Sequence, residues 1–239
     1  MVPEIGTREK KQFKLLDLYC GAGGAAVGLY RAGFEITGVD IVPQPHYPFR
    51  FILGDALQVN LEGYDCYWAS PPCQFATMAG RQWRTQGRKY PDLIGPTRER
   101  LKATGKPYII ENVPGAPLIN PIVLNGALFS LRLRRTRLFE TNFPVPFILL
   151  PREGRSGFRM GRPPAEVITP VGHFSGVKRA QKEMGIDWMG QKDLAQAIPP
   201  VYAQYLGGYL LQAVKRAMYG CTNGEGLMWR ELRQEAGLE

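Results

Sequence analysis

Cys73 stands in the run Pro71-Pro72-Cys73-Gln74, directly after a short apolar stretch. Because the two prolines restrict the backbone, this turn would hold the thiol in a fixed position. A fixed thiol suits nucleophilic attack, and a nearby positive charge or helix start would favour its thiolate form. The competing interpretation is an inert buried thiol, which is how most cysteines behave.

A second run, Asp17 to Gly24 (DLYCGAGG), indicates a strand, a tight glycine turn and a helix start. Glycines let the backbone approach a ligand closely, and the N–H groups of a helix start can hold a carboxylate. Further along, Asp40 could bind ribose hydroxyls and Asp55 an adenine amino group, while Tyr19 could stack on the adenine. Each of these residues alone has a structural alternative, as a cap or a core residue. Together, in this order, they describe a pocket for a nucleoside.

Alternating strands and helices must position these residues. Short apolar runs predict strands over 13–19, 35–40, 49–53, 64–69 and 107–110, and the apolar spacing predicts helices over 25–32, within 91–103 after Pro96, and over 201–218. Such alternation predicts an α/β fold with a doubly wound, mostly parallel sheet. The polar residues fall where strands end, and ligands bind at that edge of such sheets.

Composition limits the classes of protein that remain. The chain has 239 residues, 44% of them hydrophobic, and a net charge of +9, which favours polyanionic partners such as nucleic acid. Four cysteines without a Cys-x-x-Cys pair, and only two histidines, argue against a structural zinc site. We expect a reducing, cytoplasmic protein without a signal peptide or membrane span, in a bacterium or a phage-infected host.

The ordered motifs resemble those of the DNA cytosine-5 methyltransferase family, over nearly all of residues 13–207. The matching runs are Asp17 to Gly24, Pro71 to Gln74, Glu111-Asn112-Val113, Arg135-Thr136-Arg137 and Ala197-Ile198-Pro199-Pro200. The compact length, with the run Met184 to Trp188, is similar to the small phage- or prophage-borne members. The resemblance implies a Rossmann-like methyltransferase fold with a small irregular recognition lobe.

The resemblance also implies the chemistry. Cys73 would add to C6 of a flipped cytosine in DNA, and C5 would then accept a methyl group. Glu111 would hydrogen-bond N3 and the exocyclic amine of the ring, and Arg137 would contact O2 and orient Glu111. Arg135 would support the same cluster.

The implied cofactor is S-adenosyl-L-methionine, with S-adenosyl-L-homocysteine as product. The residues that would bind it are Asp17, Tyr19, Gly21, Ala22, Gly23, Asp40, Ile41, Asp55, Pro72, Gln196 and Ile198. The basic segment after Cys73 would be a mobile lid that contacts double-stranded DNA. Its implied DNA-binding residues are Gln74, Arg81, Gln82, Trp83, Arg84 and Arg88. A solvated basic loop is the alternative interpretation of this segment.

Four segments are predicted. Residues 12–141 would form the catalytic and cofactor-binding domain, 142–190 the target-recognition lobe, 191–220 a return to the catalytic domain, and 221–239 a tail. We expect a monomer. Because the recognition lobe is short, a separate specificity or nuclease partner is also possible.

Three departures from the family pattern bear on this assignment. Ser70 stands where glycine is common and Tyr19 where phenylalanine is common. Gln196 replaces the usual asparagine near the cofactor, which leaves a modified sulfonium donor open. The segment between Arg137 and Gln196 is short. The alternatives are an RNA cytosine-5 methyltransferase, a catalytically silent DNA-binding module and an NAD oxidoreductase, of which the last leaves the Pro-Pro-Cys and Glu-Asn-Val runs unexplained.

Overall fold

The computed structural model describes residues 12–73, 91–146, 149–151 and 167–220. Seven strands form one sheet: β1 (Phe13–Leu18), β2 (Phe34–Asp40), β3 (Arg50–Leu53), β4 (Cys66–Ala69), β5 (Tyr108–Asn112), β6 (Ile122–Leu124) and β7 (Arg137–Thr141). Their order is β3-β2-β1-β4-β5-β7-β6. Strands β1 to β5 pair in parallel, whereas β7 runs antiparallel to both β5 and β6. The predicted doubly wound, mostly parallel sheet is confirmed.

Five α-helices are described: α1 (Gly24–Arg31), α2 (Ile94–Ala103), α3 (Val177–Met184), α4 (Gln191–Gln196) and α5 (Pro200–Tyr219). Helices α1 and α5 cover one face of the sheet, where Leu29 and Leu206 pack with Leu15 and Trp68. Helix α2 covers the other face, where Leu101 packs with buried residues of β1, β4 and β5. Alternate residues of each central strand therefore serve two different cores.

Helices α1 and α5 touch backbone to backbone. A Cβ atom built on Gly28 would lie 2.0 Å from the carbonyl oxygen of Pro200, and one built on Gly207 would lie 2.7 Å from Cβ of Ala32. Only glycine permits this approach. It ties the C-terminal helix to the first crossover of the sheet.

The five predicted strands and three predicted helices are confirmed, with ends shifted by a few residues. Two shifts affect function. Helix α2 begins at Ile94 rather than after Pro96, because proline is tolerated in a first helical turn. Glu111 lies inside β5 rather than just beyond it, so its side chain is buried.

The prediction of an irregular segment over 142–190 is wrong for part of that segment. Helix α3 forms there, with Ala180 and Met184 buried and Lys178, Arg179 and Lys182 exposed. These two residues pack with Leu133, Phe174 and Leu194 in a separate small cluster. Strands β6 and β7 were likewise not predicted, because β6 is short and β7 follows a basic run that is typical of a surface.

Among the helices of the described ranges, none combines the length and the apolar character needed to span a membrane. Within the same ranges, Cys20, Cys66 and Cys73 are free thiols. No group of three or more metal-ligating side chains occurs among these residues.

Candidate active site

The candidate site lies at the carboxyl ends of β1, β4 and β5. The order of the strands reverses between β1 and β4, because β2 follows on one side of β1 and β4 lies on the other. In open α/β sheets, ligands bind in the crevice outside such a reversal. The glycine turn follows β1 at this crevice and the Pro-Pro-Cys turn follows β4, so the two predicted halves of the site are neighbours.

Cys73 is half-buried, and its turn is fastened to β5 from behind. The side-chain amide of Asn112 donates to the carbonyl of Pro71 at 2.9 Å in a buried position, while its oxygen accepts from the backbone N–H of Val113. Asn112 was part of a predicted motif but had no predicted role. The structure shows that it fixes the backbone that carries the thiol.

Glu111 and Arg137 form the predicted ion pair. Arg137 Nε lies 3.1 Å from Glu111 Oε1, and both side chains are largely buried. The two residues lie on neighbouring antiparallel strands, β5 and β7, which holds the pair in register. Because little water reaches it, this pair is stronger and more directional than one at a surface.

Burial raises the pKa of Glu111 above its usual range, although Arg137, a hydrogen bond from Ser70 and Arg135 act in the opposite direction. Burial also raises the pKa of the Cys73 thiol, and the nearby Glu111 carboxylate raises it further. Arg137 and Arg135 offset part of that rise. Burial and Glu111 together outweigh the two arginines, so the net effect on the Cys73 thiol is a raised pKa.

The two titrations are coupled. A proton on Glu111 removes the negative charge that opposes the Cys73 thiolate, so protonation of the acid favours ionisation of the thiol. The arrangement can thus hold a proton donor and a thiolate side by side.

Arg135 is placed differently from Arg137. Its guanidinium is 2% exposed and donates to the carbonyl of Pro170 at 2.7 Å and to that of Ala195 at 2.9 Å. Its own carbonyl accepts from the hydroxyl of Tyr202. Burial, with repulsion from Arg137, lowers the pKa of Arg135 to about 9. The positive charge of Arg135 acts on Cys73 and Glu111. Its hydrogen bonds have a different effect, because they link the C-terminal segments of the chain to the site.

The glycine turn after β1 is held by backbone geometry. Tyr19, Gly21 and Gly23 all have positive φ angles, of 59°, 49° and 86°. At Gly23 a side chain would also collide with the ring of Pro48, 2.7 Å away. Asp40 Oδ2 accepts from the N–H of Gly21 and Oδ1 from that of Val42, each at 3.0 Å. Each carboxylate oxygen keeps a lone pair with which a ribose hydroxyl could bond.

Asp17 lies beneath this turn, rather than facing the crevice. Its carboxyl is 1% exposed and accepts from the hydroxyl of Tyr47 at 3.2 Å. Burial raises its pKa to about 8, against the Tyr47 hydrogen bond and with help from Asp40. Tyr47 packs over Gly38, where any side chain would overlap its ring. Tyr47 was not identified from the sequence.

Three further predicted cofactor residues, Tyr19, Ile41 and Asp55, follow the carboxyl ends of β1, β2 and β3. Ile41 directly follows Asp40 and is 71% exposed. The hydroxyl of Tyr19 bonds to Thr97 at 2.9 Å and feels the charge of Asp55. Asp55 is exposed, and its Oδ1 accepts from the N–H of Leu57, so it also caps its own loop.

The C-terminal segment reaches the glycine turn. A Cβ atom on Gly24 would lie 2.5 Å from the carbonyl oxygen of Ile198, which shows how closely this segment approaches the start of α1. Trp188 Nε1 donates to the carbonyl of Ala22, within the turn itself, at 2.9 Å. Gln196 is exposed nearby, and Pro72 is exposed on the thiol side of the crevice. Trp188 lay in a predicted motif without a predicted contact.

The six predicted DNA-binding residues lie outside the described part of the chain: Gln74, Arg81, Gln82, Trp83, Arg84 and Arg88. Their roles stay predictions. Part of the predicted recognition lobe, residues 152–166, and the tail from residue 221 also lie outside it.

No protein-family model matches the chain. The search of curated proteins gives no match either.

Solved structures do match it, at low sequence identity. A DNA modification methyltransferase encoded within an E. coli prophage has 14% identity and a TM-score of 0.58, with 85% of this chain and 100% of that one covered. The S. pombe Dnmt2 methyltransferase has 13% identity and a TM-score of 0.55, covering 84% and 99%. The Entamoeba histolytica methyltransferase EhMeth has 12% identity and a TM-score of 0.55, covering 85% and 99%. The chain therefore has the Rossmann-like methyltransferase fold over nearly the whole length of these proteins.

Proposed function

We propose that this protein transfers a methyl group from S-adenosylmethionine to C5 of cytosine in double-stranded DNA. The observation that carries the proposal is the placement of a half-buried Cys73 beside the buried Glu111–Arg137 pair, next to the glycine turn after β1. A thiol, an acid of raised pKa and a fixed arginine are the groups needed to add a nucleophile to a cytosine ring.

The residues around the glycine turn suit this donor chemically. Asp40 would hold the ribose hydroxyls, Ile41 would offer an apolar surface to the adenine, and the N–H groups at the start of α1 would hold the carboxylate. When bound, S-adenosylmethionine supplies an electrophilic methyl group. Gln196 and Ile198 close the pocket from the C-terminal side.

The residues of the substrate side then act in sequence. Sγ of Cys73 bonds to C6 of a cytosine flipped out of the duplex, which turns C5 into a nucleophile. Glu111 gives a hydrogen bond or its proton to N3, and Arg137 holds Glu111 and O2, so that charge arising on the ring is neutralised. After C5 is methylated, a water molecule takes the C5 proton, the electron pair of that C–H bond forms the C5=C6 double bond, and Cys73 leaves C6 as a thiolate.

DNA as the substrate is supported by the net charge of +9 and by the fold shared with the prophage DNA modification methyltransferase. The basic residues after Cys73 would clamp the phosphates around the flipped base. We propose further that the protein is a monomer, which acts alone or with a specificity partner.

The test is transfer of isotopically labelled methyl from S-adenosylmethionine to duplex DNA and to transfer RNA, followed by mass spectrometry of the nucleosides. We expect labelled 5-methyl-2′-deoxycytidine from DNA. Labelled 5-methylcytidine from RNA alone would replace the DNA assignment, and label in neither, with cofactor bound, would overturn the proposal. Cys66→Ala is a matched control for Cys73→Ala, because both remove a thiol but Cys66 lies fully buried at the start of β4.

A further inference from the structure

Ser70 is the residue that precedes the Pro-Pro-Cys turn, and its hydroxyl has two hydrogen-bonded neighbours. The indole Nε1 of Trp68 donates to Ser70 Oγ at 2.9 Å. Since an indole N–H can only donate, the serine oxygen must be the acceptor in this bond. The one hydroxyl proton of Ser70 is therefore free to point elsewhere. Because Ala69 of β4 pairs with Ile110 of β5, the next residues along the two parallel strands, Ser70 and Glu111, lie side by side, where the Ser70 hydroxyl acts as a hydrogen-bond donor to the carboxyl and lowers its pKa.

Trp68 is itself closely packed. Its side chain is 0% exposed in the core of the sheet and lies against Phe139, with ring centroids 5.7 Å apart. Phe139 is the residue of β7 that pairs with Glu111 of β5. The indole is thus fixed to the same pair of strands that carries the acid.

The backbone of Ser70 is fixed as well. Its N–H donates to the carbonyl of Leu18 at 3.1 Å, continuing the pairing of β1 with β4. A hydroxyl held by its backbone and by a buried indole has little rotational freedom to lose when it bonds to a carboxyl.

Glu111 consequently has donors from two directions. Arg137 approaches Oε1, and Ser70 donates to the same carboxyl group. Two fixed donors set the plane of a carboxyl, whereas one would let it rotate about the last side-chain bond.

We propose that Trp68 and Ser70 form a positioning pair that sets the orientation of Glu111 towards the cytosine ring. This inference rests on the proposed function for its meaning in catalysis. Ser70 and Trp68 have no step of their own in the proposed chemistry and are positioning residues that act through Glu111.

The variants that test the pair are Ser70→Ala, Ser70→Thr and Trp68→Phe. Ser70→Ala removes the donor, Ser70→Thr keeps a hydroxyl, and Trp68→Phe keeps a ring but removes the N–H. Ser130→Gly is the matched control, because Ser130 is exposed with a φ of 55°, a conformation that glycine adopts readily.

The first readout is the single-turnover rate of methyl transfer as a function of pH. We expect Ser70→Ala to lower the rate about tenfold to a hundredfold, as for loss of a hydrogen bond to a charged group. The Ser70 donor stabilises the ionised form of Glu111, so its loss raises the pKa of Glu111. If protonated Glu111 is the active form, the alkaline fall in rate then moves to higher pH.

Two further variants check the pair. Ser70→Thr should restore the wild-type pH profile. The double variant Trp68→Phe with Ser70→Ala should lower the rate no more than Ser70→Ala alone.

The second readout needs no activity. In protein with ¹³C-labelled glutamate, the Glu111 carboxyl is assigned by comparison with Glu111→Gln and titrated by NMR. We expect its pKa to rise in Ser70→Ala and to stay at the wild-type value in Ser130→Gly. An unchanged pKa in Ser70→Ala, or a rate loss that Ser70→Thr does not restore, would overturn the positioning role. If the pKa shifts but wild-type protein methylates no cytosine, the proposed function fails while the Trp68–Ser70–Glu111 contact stands.

Discussion

The two sides of the crevice are built by different means. On the substrate side, a side-chain ion pair holds Glu111 and Arg137, Asn112 holds the Cys73 turn, and burial raises the pKa values of the thiol and the acid. On the cofactor side, Asp40 and Trp188 bond to the backbone of the glycine turn, which three positive φ angles shape. The first arrangement controls protons and charge, whereas the second controls shape. Substitutions on the two sides should therefore fail in different ways.

Glu111→Gln should give the largest effect that is confined to the substrate side. The amide keeps the volume of the acid but cannot transfer a proton, so we expect the methyl-transfer rate to fall roughly a hundredfold to ten-thousandfold. Cofactor affinity, measured by calorimetry, should not change. Glu99→Gln is the control, because Glu99 is an exposed acid of α2. A near-normal rate in Glu111→Gln would remove this residue from the chemistry.

Gly24→Ala should instead impair the cofactor side, through stability and cofactor affinity. Its methyl group would meet the carbonyl of Ile198 at 2.5 Å and push the C-terminal segment from the glycine turn. We expect a loss of about 1–3 kcal/mol in the free energy of unfolding and weaker cofactor binding. Urea denaturation and calorimetry measure the two effects. Gly208→Ala is the matched control for Gly24→Ala. Gly208 lies in the middle of α5, where an added Cβ meets nothing within 4 Å, so alanine should stabilise the helix. Equal stabilities of the two variants would contradict the close contact.

A pH-dependent effect, on stability rather than rate, is expected at Asp17. Its pKa of about 8 in the folded protein exceeds the ordinary value of 3.8, so unfolding at intermediate pH releases a proton. This contribution to stability is complete below pH 4 and is lost as pH rises towards 8, at about 1.4 kcal/mol per pH unit. Asp17→Asn should remove that slope from the free energy of unfolding between pH 5 and pH 7.5. The same slope in wild type and variant would show that the carboxyl ionises freely in the folded state.

The smallest effect is expected from Trp188→Phe. This change removes the bond to the carbonyl of Ala22 but keeps an aromatic ring against the small cluster. We expect cofactor affinity to fall about twofold to tenfold, the usual net value of one hydrogen bond. The single-turnover rate at saturating cofactor should be unaffected. A rate loss without an affinity loss would mean that Trp188 acts on the substrate side.

The sequence was informative wherever local chemistry determines structure. The run from Asp17 to Gly24 could only be a strand, a turn and a helix start, because apolar residues precede glycines whose positive φ angles no other residue adopts freely. Likewise the Pro-Pro-Cys turn had to follow a strand. These local signals were enough to predict the central sheet and the edge at which the site lies.

Long-range contacts were beyond such signals. That Asp17 points below the turn to Tyr47, and that Arg135 bonds Pro170 and Ala195, depends on residues 30 or more positions away. The raised pKa of Cys73 was missed for the same reason, because burial is a property of the assembled sheet. Helix α3, by contrast, could have been predicted from local spacing, because Val177, Ala180 and Met184 lie three and four residues apart and pack in the cluster with Leu133.

The most direct test of the central claim is covalent trapping on a duplex that the wild-type protein is first shown to methylate, with 5-fluorocytosine at the target position and S-adenosylmethionine present. Fluorine at C5 cannot leave as a proton does, so the Cys73–C6 bond cannot break. We predict an adduct that survives denaturation with wild-type protein and with Cys66→Ala, and none with Cys73→Ser. An adduct that persists in Cys73→Ser, or the absence of any adduct on a duplex that is methylated, would contradict the account.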